Sequence, residues 1–284
     1  MDKPATDPLA PIINALATAE QILISNTRGA SASLVSRLHY TGGSVAQVAG
    51  AILGLEAPVI ATGLVLFHRF HLLAGFLEHS IKDTVAGCLF IAVKLCETPK
   101  TAQSIAAAVE AACEDPLATG SKPISRRNAK YYNNEKLNTI YTTELQILTT
   151  LAFDTHVVVP YSLCLEYLSA LKISDVSDRE ILANRAWGYL NDSMKVKISI
   201  LHQPNAIAVT ALWLAAREAD IEILEGERWW MIFDVDTEDM GHIVLLLREC
   251  KAIAIGERER VENGLRCSLT VKDVTDRILE EANA

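Results

Sequence analysis

The sequence predicts an all-α protein made of two tandem helical bundles with N- and C-terminal extensions. Half of its 284 residues are apolar and only 6% are aromatic, a composition rich in Ala, Leu, Ile and Val that suits packed helices better than β-sandwiches. Two windows, VAGCLFIAVKLCE and AVTALWLAAREAD, superpose at a constant offset of 123, pairing Leu89 with Leu212, Phe90 with Trp213, Ala92 with Ala215 and Lys94 with Arg217. Both windows are apolar on nearly every face, so each must be a central helix ringed by its neighbours.

Residues 1–10 read as a loose tail, and residues 11–25 (PIINALATAEQILIS) show helical spacing with a proline start. SVAQVAGAILGLE and PVIATGLVLFHRFHLLAG give two apolar helices, with Pro58 suited to the first turn of the second. VAGCLFIAVKLCETPK, residues 85–100, is the first central helix and ends before Pro99. TAQSIAAAVEAACED follows, with Thr101 as its cap and a high Ala content.

Residues 115–135 break the periodicity with two prolines, a glycine and a polar run, the signature of a long surface loop. Its Lys122, Arg126, Arg127, Lys130, Tyr131 and Tyr132 could meet nucleic acid or phosphate, although a solvated loop is the plainer reading in an acidic chain. Helical spacing resumes through Leu137, Ile140, Leu145, Leu148 and Leu151, to an end near Phe153 and Asp154. Four more segments then repeat the pattern, with Pro160 and Pro204 near helix starts. The limits drawn from these breaks are 1–39 for an N-terminal tail and helix, 40–155 and 156–255 for the two bundles, and 256–284 for a charged C-terminal tail or helix.

Charge and motifs remove several classes of function. A net charge of −9 and a pI near 5.3 argue against a surface built to neutralise phosphates. Six cysteines without a CxxC pair fit a reducing compartment. The N-terminus lacks the basic and apolar regions of a secretory signal. Residues 45–67 contain Gln47, Glu56 and Pro58, which make them two helices meeting at a turn rather than a membrane span. No GxSxG, HExxH or glycine-rich phosphate loop is present, so the sequence offers no basis for an enzyme or a bound cofactor. His68 and His71 lie three apart on one helical face, but without a Cys or carboxylate partner a packed or surface pair is the plainer account than a metal site. Trp229 and Trp230 could form a peptide groove, but read more plainly as a helix-start anchor into the second core.

Several stretches carry a family resemblance: IATGLVLFHRF at 60–70, HSIKDTVAGCLFIAVKLCETPK at 79–100, TTELQILTTLAFDTHVVVP at 142–160, AWGYLNDSMKV from 186, the QP-started helix ending in LAAR at 217, and WWMIF at 229–233. Together they resemble the paired cyclin boxes of transcription-type cyclins, the L type best, with the K and Q types close behind, over roughly residues 40–255. L-type cyclins typically continue into an Arg/Ser-rich region, which is absent from this sequence.

The resemblance implies a nuclear regulatory subunit, not itself an enzyme, that binds and activates a cyclin-dependent kinase in transcription or pre-mRNA splicing. A PITSLRE-type kinase is the favoured partner, with room for additional regulatory or splicing subunits. The alternatives are a K- or Q-like partner of an RNA polymerase II C-terminal-domain kinase, a DNA-binding protein of the transcription factor IIB kind, and a helical scaffold without a kinase. The resemblance further implies that Lys94 and Glu144 organise the kinase interface, with Leu95, Glu97 and Phe153 beside them. Cys96 stands where many cyclins carry a second acidic residue. From spacing alone, a snorkelling lysine at a helix C-terminus, favoured by the helix dipole, is the plainer reading of Lys94 than an interface contact, and the resemblance reverses that order. Arg217 has the same geometry in the second bundle and reads as structural.

Overall fold

The computed structural model describes residues 14–27, 30–115, 134–171, 173, 175–223, 228–263 and 267–282. Among them the chain is helical without strands: α1 (Ala19–Thr27), α2 (Ala32–Leu53), α3 (Ala57–Ala74), α4 (Ile81–Leu95), α5 (Ala102–Glu114), α6 (Asn134–Thr150), α7 (Pro160–Ala170), α8 (Val176–Met194), α9 (Ile198–Leu201), α10 (Pro204–Ala219), a 3-10 turn (Trp229–Phe233), α11 (Thr237–Glu262) and α12 (Val271–Ala282). The first bundle is α2–α6 and the second is α7–α11. The basic loop expected at 115–135 falls almost wholly outside the described residues, as does the tail at 1–10.

The two central helices are α4 and α10. Helix α4 packs against α2, α3, α5 and α6, and α10 against α7, α8, α11 and the 3-10 turn. Every residue of α4 from Thr84 to Val93 is buried, because neighbours on all sides leave no face for water. Local chemistry sets the starts: Ser80 and Thr101 accept the backbone N–H groups of Asp83 and Ser104, and Pro58, Pro160 and Pro204 sit in first turns, where their missing N–H costs nothing. Helix α3 is long and apolar enough to cross a membrane, yet most of it is buried inside the bundle, as a core helix must be.

Three expectations are corrected. The first helix begins at Ala19 rather than Pro11; residues 14–18 instead run non-helically across the junction between the bundles, where the Ala17 N–H donates to Ile200 O at 2.8 Å. Helix α2 begins at Ala32, so a boundary at 40 falls inside it. Gly42 and Gly43 resemble a break but are a close approach: a Cβ at Gly42 would lie 2.1 Å from the Phe67 ring, and one at Gly43 2.5 Å from Lys195 Cα. WWMIF forms a 3-10 turn rather than the start of an α-helix, with Trp229 buried and Met231 and Ile232 exposed.

The C-terminal segment is a helix folded back onto the first bundle. Ser80 Oγ and the Lys82 N–H, at the otherwise unsatisfied start of α4, both donate to Leu269 O at 3.2 Å. Arg277 in α12 is 2% exposed and donates to both carboxylate oxygens of Glu257 in α11, at 2.6 and 3.2 Å. A limit at 256 therefore cuts through α11, which runs on to Glu262 to form this pair.

His68 and His71 are buried packing residues, fully enclosed with His39. His68 Nε2 lies 2.9 Å from Met194 O, an acceptor only, so that nitrogen carries the proton; its Nδ1 then accepts from His39 Nδ1 at 2.9 Å. His71 Nδ1 donates to Gly75 O, and its ring stacks on Phe76 with centroids 4.0 Å apart. Burial lowers the pKa of all three, to about 4 for His68 and about 3 for His71. Among the described residues, no group of three or more His, Cys, Asp or Glu is placed to hold a metal.

Candidate functional site

Two of the sequence-selected residues meet, Lys94 at the end of α4 and Glu144 on α6, while Leu95 and Glu97 continue the end of α4 and Phe153 follows the end of α6. Lys94 Nζ donates to Glu144 Oε1 at 2.6 Å across the two helices and lies 3.8 Å from the centroid of the Phe90 ring. Phe90 is in turn met edge-on by Tyr141. The Lys94 side chain is half exposed while that of Glu144 is mostly covered, at 49% and 17%. A cation at the end of a helix also meets the negative pole of its dipole. The free chain thus gives Lys94 an intramolecular partner, and its two remaining donors stay available to a ligand.

The apolar members are open to solvent. Leu95 is 44% exposed and Phe153 63% exposed, with Tyr141 and Leu145 also open on α6. Neither Tyr141 nor Leu145 was singled out by the motifs as a contact. Both lie on the outer side of α6, whose inner positions Ile140, Thr143 and Ile147 are buried, so Leu145, which the spacing groups with Ile140, is on the opposite face from it.

Both helices end with a non-glycine residue in the left-handed region. Glu97 has φ 53°, and beside it the Thr98 N–H closes α4 on Val93 O at 2.9 Å. Phe153 has φ 61° and donates its N–H to Leu148 O at 2.7 Å, following Ala152 at φ 50°. Helices that end this way usually place Gly there, since a side chain costs about 1–2 kcal/mol in that conformation. Strained backbone of this kind concentrates at functional surfaces.

The segment after Phe153 is held by residues with no motif of their own. Arg69 is nine-tenths buried and donates through Nη1 to His156 O at 2.7 Å, while Nε and Nη2 have no hydrogen-bond partner among the described residues. Burial lowers its pKa, opposed by Asp154. Asn14 clamps Val158 from both sides, donating from Nδ2 to its carbonyl at 2.7 Å and accepting its N–H on Oδ1 at 2.8 Å. Arg69 was visible as a charge inside an apolar helix; Asn14 carried no signal.

The two bundles and their central helices define a protein of the cyclin fold. In sequence the chain matches the transcription-type cyclins. Cyclin-L1 of Gallus gallus is 28% identical over 261 residues, 92% of this chain and 46% of that protein. Cyclin-L2 of Homo sapiens is 28% identical over 228 residues, 80% and 43%. Cyclin-K of Homo sapiens is 31% identical over 207 residues, 69% and 34%. The chain spans less than half the length of these curated relatives. No family model matches it. In structure it resembles a chain of the yeast RNA Pol II CTD kinase CTDK-1 complex, with a TM-score of 0.65 at 15% identity over 96% of this chain and 84% of that one. A chain of the yeast TFIIK (Kin28/Ccl1/Tfb3) complex gives 0.55 at 17% identity, over 84% and 95%.

Proposed function

We propose that this chain is a regulatory subunit that binds and activates a transcription-associated cyclin-dependent kinase, and that Lys94, Leu95, Glu97, Glu144 and Phe153 form its kinase-binding surface. The observation that carries the reading is the Lys94–Glu144 pair, half exposed at Lys94 between α4 and α6, with the side chains of Leu95, Tyr141 and Leu145 open beside it in sequence. Such a surface suits a partner that brings backbone carbonyls to the ammonium and apolar side chains to Leu95 and Phe153. The similarity to cyclins L and K, and to chains of two transcription kinase complexes, supports that partner class.

Activation then needs no chemistry from this chain. By binding the active kinase conformation more tightly than the inactive one, it would hold the αC helix inward, so that the αC glutamate pairs with the lysine that orients the ATP phosphates. Lys94 is already fixed by Phe90 and Glu144, so little side-chain freedom is lost on docking. The L-type similarity favours a PITSLRE-type kinase, and a transcriptional role implies a nuclear location.

The test is purification of the tagged chain from nuclear extract, followed by mass spectrometry and a kinase assay with and without the chain. Co-purification of a cyclin-dependent kinase whose activity depends on the chain is expected. A pull-down free of protein kinase would sink the reading.

A further inference from the structure

The second bundle repeats the Lys94 arrangement with two changes that together make it more positive. Arg217 sits at the matching end of α10, its Cζ 4.9 Å from the centroid of the Trp213 ring, as Lys94 sits over Phe90. Buried positions Ile140, Thr143 and Ile147 of α6 correspond in spacing to Met240, Ile243 and Leu247 of α11. That register sets Val244 where the first bundle has Glu144, and Arg248 where it has Leu148. The cation of the central helix has lost its carboxylate and gained a second cation.

Arg217, Val244 and Arg248 line one groove of about 380 Å³, together with Lys251, Trp213 and Tyr189. Arg217, Arg248 and Lys251 are all exposed. Among the described residues none of the three has an ion-pair partner, although the chain as a whole carries −9. The acidic side chain in the groove, Glu218, is occupied by Tyr189 Oη at 3.1 Å and by Arg185 at 3.7 Å. Leu214, Val244 and Leu247 supply an apolar floor.

We infer that this groove between α8, α10 and α11 docks an acidic peptide segment of a partner protein, with carboxylates meeting Arg217, Arg248 and Lys251 and an apolar side chain on the floor. Charge complementarity selects the anion. One face of each ring is already taken, of Trp213 by Arg217 and of Tyr189 by Lys251 at 5.3 Å, and the base stacking that single-stranded nucleic acid uses would have to compete with these contacts. The cations stand on two helices beside Glu218, an arrangement suited to several single charges rather than one dianionic phosphate. The site is separate from the kinase-binding surface and does not depend on that assignment.

The experiment is fluorescence anisotropy with a labelled eight-residue peptide of Asp and Glu around one central Leu, titrated with the full chain. Micromolar binding that weakens with salt is expected. Replacing all three cations, Arg217→Gln, Arg248→Gln and Lys251→Gln, removes three exposed charge pairs and should weaken it about tenfold. Lys94→Ala, whose melting temperature is compared with that of the triple variant, should leave peptide affinity unchanged. Equal affinity for the Asn/Gln version of the peptide, or for the triple variant, overturns the proposal. So does tighter binding of a phosphoserine version or of a single-stranded RNA, each of which would name a different occupant. Because the three side chains are exposed, a folded triple variant is expected; should it melt early, the neutral peptide and the salt series decide alone.

Discussion

His68 donates its Nε2 proton to the Met194 carbonyl across 2.9 Å, and so ties α3 of the first bundle to the end of α8 in the second. The bond requires a neutral His68 whose Nδ1 is free to accept from His39. Burial pulls the folded-state pKa of His68 to about 4 and of His71 to about 3, and lowers that of His39 as well.

The sign of the pH effect follows from these directions. Below about pH 6.5 the unfolded chain takes up protons that the folded chain refuses, so stability falls as pH drops from there toward 4. His68 and His71 should each cost about 2 kcal/mol by pH 5, and His39 acts in the same direction. Urea denaturation at pH 7.5 and pH 5 measures the loss. His68→Gln, which keeps a donor near Met194, should flatten part of that slope; an unchanged slope would remove His68 from the account.

Two glycines of α2 sit in close approaches, Gly43 at the junction and Gly42 within the first bundle. Gly43→Ala places a methyl group 2.5 Å from the backbone of Lys195, and Gly42→Ala places one 2.1 Å from Phe67. Backbone yields less readily than a ring, so Gly43→Ala should be the harder to accommodate, and each should cost about 1–3 kcal/mol. Chemical denaturation of the two variants checks both order and size.

The α11–α12 hairpin rests on a pair with almost no exposure. Arg277 and Glu257 have side chains 2% and 4% exposed, so removing one leaves the other buried without its short charged partner, Arg277 keeping the longer contacts to Glu281 at 3.9 Å and Ser268 at 3.5 Å. Glu257→Gln or Arg277→Met should cost about 3–5 kcal/mol. Since Leu269 satisfies the start of α4, hydrogen exchange should quicken at Lys82 as well as in α12. Loss confined to α12 would show that the helix start does not rely on the tail.

Much of this was legible because burial leaves a mark on sequence. α4 and α10 could be placed, and paired across the repeat, because a helix buried on all sides has nowhere for polar residues. Lys94 and Glu144 were legible only as a motif; their 2.6 Å contact joins helices whose sequence separation spacing cannot bridge. Residues 32–43 were missed because a Gly-Gly pair looks the same in a break and in a close approach. The left-handed ends at Glu97 and Phe153 were invisible, since neither residue type favours that conformation. Arg277 and Glu257 gave no sign either: twenty residues apart in a charged tail, they read as solvated.

Glu97 allows stability and binding to be separated. Its φ of 53° at the end of α4 is the conformation glycine adopts freely, and its side chain is exposed, with no hydrogen bond or ion pair among the described residues. Glu97→Gly should therefore stabilise the fold, by up to about 1 kcal/mol, because relief of backbone strain exceeds the added freedom of the unfolded chain. If Glu97 belongs to the kinase-binding surface, the same change removes a carboxylate from it and lowers kinase affinity while the melting temperature rises. Lys94→Ala, by contrast, breaks a half-exposed pair and should cost under about 1 kcal/mol of stability. Titration calorimetry against the co-purified kinase, set beside thermal melts of both variants, reads the two effects apart. A stabilised Glu97→Gly chain that binds the kinase as tightly as the wild type would leave Glu97 a helix end and no more.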